Sequence, residues 1–266
     1  MSPRRHAIIR LAECTWPEAG RLARDRRSVV LLPVGAVEQH GPHLPLAVDW
    51  LGAEALAGAV APHLARAGFR PVLAPALPYG ASPLAEGWPG TVSLATGTLA
   101  RVLREVLISL ADQGFRAVVL CNYQADPGQL RALAAVRRAL ARRRLRVLVA
   151  GFSPDPREMA AMTGPRVSAL LRSPRPAGEW HSGELETAMM LALHPRLVRR
   201  ATARALPPAW VDWRAMLRQG KSFRTMRPGG RGYFGAPALA RAGTGRQALA
   251  LRARLIAAEL VGALRA

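Results

Sequence analysis

Apolar positions recur along this chain with two distinct periods. Val29 to Val34 is a short, valine-rich apolar run closed by Gly35, which reads as a buried strand. Phe69 to Leu73, Arg116 to Cys121 and Leu145 to Phe152 read the same way. Between them the period changes to that of a helix. Thr96 to Gln113 keeps Leu99, Val102, Leu103, Val106, Leu107 and Leu110 on one stripe, and Gly114 ends it. Asp49 to Ala67 carries Leu51, Leu56, Val60 and Leu64 on its inner side, with Pro62 expected to kink or stop it. Leu130 to Arg144, Glu184 to Leu193 and Arg246 to Leu264 complete the helical segments. Strands alternating with helices predict a mostly parallel sheet covered on both faces, a three-layer α/β/α fold in one domain over 1–266. Chemistry in such sheets sits past the carboxyl ends of the strands. The proline-rich stretch 153–179 is expected to be an irregular connection, and 207–245, rich in Pro, Gly and Trp, mostly loops.

Composition narrows the class. Half of the 266 residues are hydrophobic, which excludes a disordered chain. Cys14 and Cys121 are the only cysteines, too few for a disulfide scaffold. No apolar run reaches the length of a bilayer span, so a soluble, cytoplasmic protein is expected. Arg and Lys total 38 against 17 acidic residues, a formal charge of +21, and Lys221 is the sole lysine. The arginines of 137–146 and 196–204 are interleaved with Ala and Leu at helical spacing, and aromatics make up only 5%. That pattern describes solvated helix faces, not a stacking surface for nucleic acid.

The candidate chemistry begins directly after the first strand. Glu38 and His40 lie two apart and share a side in extended chain, and Asp49 returns at the start of the next helix. Carboxylates and imidazole at a strand's carboxyl end fit zinc or manganese. Taken alone, a Glu-x-His pair is a weak signal. The wider string Leu32-Pro-Val-Gly-Ala-Val-Glu-Gln-His-Gly-Pro-His-Leu-Pro-Leu46, followed by Asp49, resembles the signature of the creatininase family. Pro78-Tyr-Gly-Ala-Ser82, Pro89-Gly-Thr91, His181-Ser-Gly-Glu184-Leu-Glu186-Thr187 and Gly232-Tyr-Phe-Gly235-Ala-Pro237 resemble its later segments in the same order.

The resemblance implies a two-metal amidohydrolase, usually a ring-like homo-oligomer and often a hexamer. It implies Asp49 as the bridging ligand, Glu38 on one metal, His40 and Glu184 on the other, and His181 as proton donor to the leaving nitrogen. Tyr79, Ser82, Gly90, Thr91 and Trp180 fall in segments that resemble its substrate side. The chain departs from the pattern at the second metal segment. Asn122-Tyr-Gln124-Ala-Asp126 stands where the family has Asn-Gly-His-Gly-Gly-Asn, so an imidazole ligand has become the neutral amide of Gln124. Asp126 is then a spare ligand for the His40-side metal. Leu84-Ala85 and Ala236 replace further polar residues of the pattern.

One well-supported and one degenerate metal site follow from this. Two functions remain open. One is a metal-dependent hydrolase of a small amide (cyclic, formyl-like or a short peptide end). The other is a catalytically impaired member that serves as a binding or partner subunit. Glu184 and Glu186, two apart on one helix, diverge too far for both to face a metal, and Glu186 is read as supporting. Cys121 is read as core, and His6 as part of a mobile terminus.

Overall fold

The computed structural model describes residues 8–227 and 229–266, and His6 lies outside them. Five strands form one wholly parallel sheet: β1 (Ile9–Arg10), β2 (Ser28–Val34), β3 (Arg70–Leu73), β4 (Ala117–Asn122) and β5 (Arg146–Gly151). Their order is β1-β3-β2-β4-β5. The helices are α1 (Trp16–Arg24), α2 (Val48–Arg66), α3 (Thr96–Asp112), α4 (Pro127–Leu140), α5 (Pro156–Thr163) and α6 (Pro165–Ser168), followed by α7 (Glu184–Leu193), α8 (Arg200–Ala205), α9 (Trp213–Arg218), α10 (Phe223–Met226) and α11 (Ala242–Arg265).

The period of two in β2 builds both halves of the core. Val30, Leu32 and Val34 pack with Leu22 of α1, Leu103 of α3 and Leu133 of α4 on one face. Val29 and Leu31 pack with Leu56 of α2 and Ile256 of α11 on the other. Every residue of β2 is buried, as a strand covered on two faces requires. The fold is therefore the expected three-layer α/β/α sandwich.

Helix α2 runs past Pro62 to Arg66. Val60 and Leu64, buried on either side of the exposed proline, anchor both halves to the sheet. Helix α1 was not legible from apolar period. It is set by a capping box in which the Glu18 carboxylate accepts from the Thr15 backbone N–H at 2.7 Å. The two stretches expected to be irregular contain the short helices α5, α6, α9 and α10.

Helix α7 lies against α11 at very close range. A Cβ on Gly245 would come within 2.0 Å of the Ala188 carbonyl oxygen. Gly245→Ala is expected to force the helices apart and cost about 3 kcal/mol, seen as a lower urea midpoint with an unchanged slope.

The sheet order places a topological switch point between β2 and β4. From β2 the chain moves outward through α2 to β3, then crosses back through α3 to β4. The connections leave β2 and β4 in opposite directions, which opens a crevice at their carboxyl ends.

Candidate metal centre

Three segments converge in that crevice. The loop after β2 brings Glu38 and His40, the first turn of α2 brings Asp49, and the loop after β4 brings Gln124. The turn before α7 adds His181. Each of these side chains is at least nine-tenths buried.

His40 is the best-defined candidate ligand. Its Nδ1 lies 3.1 Å from the Glu38 carbonyl oxygen, an atom that can only accept, so Nδ1 carries the proton. Nε2 then presents a lone pair, and it is buried without a hydrogen-bond partner. It lies 3.5 Å from Asp49 Oδ1 and 3.8 Å from Glu186 Oε2. Asp49 Oδ2 is also buried and unpartnered. His40, Asp49 and Glu186 offer ligand atoms all within 4.8 Å of one another, as do Glu38, His40 and His181.

The α7 carboxylate that faces His40 is thus that of Glu186, and the sequence expectation of Glu184 as a metal ligand is corrected on geometry. Both Glu184 oxygens point the other way. They accept from the backbone N–H of Arg172 at 2.9 and 3.0 Å, and Oε2 also accepts from Ser173 at 2.7 Å. The turn at Ser182, with φ of 56°, decides which glutamate faces inward. The Ser182 N–H donates to Glu186 Oε2 at 2.6 Å and fixes that carboxylate beside His40.

Asp126 is also corrected as a spare ligand. It caps α4, accepting from Gly128 N–H at 2.7 Å, and its other oxygen accepts from Leu84 N–H at 2.8 Å. Gln124 does point into the centre. Its Oε1 accepts from Asp126 N–H at 3.0 Å, which turns Nε2 toward Ser82 Oγ, at 3.1 Å, and toward the Glu38 carboxylate. The amide therefore offers Glu38 a donor where a cation would sit.

Burial governs the electrostatics. Removal from water, followed by the Asp49 charge, pushes the Glu38 carboxyl up to about 8. Burial and then Asp126 hold Asp49 well above the usual carboxylate range. Burial and then His40 hold the His181 imidazole well below its usual value. Clustered carboxylates raised together by desolvation are the electrostatic setting that a divalent cation relieves. Burial likewise pushes the Cys121 thiol up to about 12, in keeping with a core residue.

His43, which bonds Thr187 Oγ1 at 2.9 Å, is lowered to about 4, chiefly by burial. A histidine lowered from 6.5 takes up its proton only in the unfolded chain between those two values. Folding stability is therefore expected to be full above pH 6.5 and to fall as pH drops from 6.5 toward 4. His43→Gln should flatten that limb of an unfolding series by about 3 kcal/mol.

A cavity of about 880 Å³ opens onto the centre. Glu38, Asp49, Gln124, His181 and Glu186 form its polar floor, and Trp180, Trp213, Phe223, Leu217 and Leu84 its apolar wall. Trp180 stacks on Trp213 at 5.1 Å between ring centroids. Of the other expected substrate residues, Ser82 lies beneath the floor against Gln124. Thr91 Oγ1 accepts from Gln39 N–H at 3.0 Å, Gly90 turns the chain at φ 84°, and Tyr79 is 46% exposed. Those three stand outside the cavity wall.

The profile of the Creatininase family, described as creatinine amidohydrolase, matches residues 12–260. The chain belongs to the creatininase family. A mycofactocin precursor peptide peptidase of Mycolicibacterium smegmatis is 36% identical over 168 residues, 63% of this chain and 58% of that protein. The match thus spans less than two thirds of that relative's length. A creatinine amidohydrolase of Pseudomonas putida is 30% identical over 218 residues, 75% of this chain and 77% of that one. The solved structure of creatinine amidohydrolase (creatininase) is 27% identical. It superposes with a TM-score of 0.73 over 96% of this chain and 97% of its own.

Proposed function

We propose that this chain is an amide hydrolase built around one divalent ion held by His40, Asp49 and Glu186. The observation that carries the reading is two buried, unpartnered atoms, His40 Nε2 and Asp49 Oδ2, on side chains that approach to 3.5 Å between Nε2 and Oδ1. Orphaned buried ligand atoms are costly unless something pairs them, and imidazole with two carboxylates suits zinc or manganese. Related solved creatininases include a manganese form and a Zn–Zn type. When bound, such an ion acidifies a water and polarises an amide carbonyl.

The chain's own residues supply the remainder. His181 is held at Nε2 by the Gln39 carbonyl oxygen at 2.8 Å, and its Nδ1 faces Glu38 Oε1 at 3.7 Å. Because the carbonyl only accepts, Nε2 carries the ring proton and Nδ1 the lone pair. Nδ1 is placed to take a proton from Glu38, whose raised pKa keeps it protonated, and to pass it to the leaving nitrogen. The apolar wall shields the amide from bulk water. The substrate is a small amide, cyclic or formyl-like, or a peptide end.

Elemental analysis after purification without chelators is expected to give about one zinc or manganese per chain. Hydrolysis across an amide panel should be lost on chelation and regained with either metal. A metal-free chain with no hydrolysis would favour the alternative, a binding or partner subunit on the same fold, for which Gln124 in place of an imidazole is the supporting observation. A cytoplasmic homo-oligomer belongs to this reading on family grounds. Light scattering tests its assembly.

A further inference from the structure

One charge in the cavity makes no hydrogen bond or ion pair with the candidate metal ligands. Arg252, midway along α11, is only 2% exposed, yet it lines the same cavity as Asp49, Glu186 and His181. Its Nε and Nη2 both donate to the Met162 carbonyl oxygen near the end of α5, at 3.0 and 2.6 Å. Its Nη1 donates to the Tyr123 hydroxyl at 2.9 Å. All three bonds go to neutral groups. Among the described residues no carboxylate lies within 4.0 Å of this guanidinium.

A guanidinium keeps its charge at any physiological pH and carries five N–H donors. Three are committed here and two are left. The buried Glu186 carboxylate feels this charge from beyond contact range, but no carboxylate takes up the two free donors, which leaves them open to an anion that enters the cavity. Two other arginines reach the cavity, Arg131 and Arg214, but both are exposed, and Arg214 lies over the Trp213 ring at 4.1 Å. Water screens them, and their effect is to draw anions inward. Arg252 acts at short range in a desolvated setting, where a charge-assisted, two-pronged bond to a carboxylate is strongest.

We propose that Arg252 receives a carboxylate of the substrate, so that the amides this cavity takes are those bearing a free carboxylate beside an apolar side chain. The apolar side chain faces the wall of Trp180, Trp213 and Phe223. This rests on reading the cavity as the substrate site of the hydrolase.

The test compares N-acetyl-phenylalanine with N-acetyl-phenylalaninamide, two probes that differ only in the carboxylate, by isothermal titration to the purified protein. The acid is expected to bind about tenfold or more tighter than the amide. The preference should persist in His40→Ala, which removes a candidate metal ligand, and vanish in Arg252→Gln. Equal affinities, no binding of either probe at millimolar concentration, or a preference lost in His40→Ala would each overturn the proposal, the last because the metal would then be reading the carboxylate. If Arg252→Gln fails to fold, Arg252→Lys, which keeps the charge but loses the two-pronged donor, is titrated in its place, and an undiminished preference there overturns the proposal. A metal-free protein that keeps the acid preference would refute the hydrolase reading and leave Arg252 as an anion site.

Discussion

Glu186→Ala is expected to lower affinity for zinc or manganese by about 100-fold or more and to remove metal-dependent hydrolysis, while Glu184→Ala keeps the metal. The two residues sit two apart at the start of α7, and only their partners separate them. Glu186 faces His40 Nε2 at 3.8 Å. Glu184 spends both oxygens on the N–H groups of Arg172 and Ser173. Its removal leaves the buried Ser173 N–H and the part-buried Arg172 N–H without an acceptor, a loss of about 1–3 kcal/mol. Glu186→Ala orphans the Ser182 N–H in turn, so both variants lose stability and metal content parts them, Glu186→Ala metal-poor and Glu184→Ala metal-replete. Elemental analysis beside thermal melting reads both. The reverse pattern would return the ligand role to Glu184.

The second large effect is expected at position 124. Gln124→His should raise metal content from about one ion per chain to about two, because imidazole is a far better ligand than an amide for either metal. The side chain is already aimed correctly, with Nε2 against the Glu38 carboxylate and Ser82. Hydrolysis should rise with the second ion. If metal content stays unchanged, the loop between Asn122 and Asp126 has been reshaped beyond what one side chain restores.

Much of this was legible before the fold was seen, and the exceptions have physical causes. The strands and the longer helices follow from runs whose side chains must reach one or both faces of a sheet. Helix α1 escaped because its apolar stripe is thin (Trp16 is 86% exposed), although Thr15 and Glu18 carried the capping signal. Strand β1 has two residues, too few to show any period. Glu38, His40, Asp49 and Gln124 meet as expected, since each follows a strand or opens a helix at the switch point. The glutamate on α7 was misassigned because the choice depends on the left-handed turn at Ser182, and a serine does not announce a positive φ. Arg252 was hidden by its surroundings: it is one arginine among many on helical segments, and only packing distinguishes the buried one.

Tyr123 and Gly52 carry a historical consequence. The Tyr123 ring lies directly over Gly52, where a Cβ would come within 2.6 Å of it. Any side chain at 52 evicts the ring, and a small residue at 123 leaves a ring-sized void under α2, each a substantial loss of stability. The phenol also holds Arg252, so that contact goes with it. A lineage moving between this arrangement and a glycine at 123 therefore has no easy single step at that position. Positions 52 and 123 must be inherited as a unit, and position 124, whose amide faces the other way, remains free to change alone.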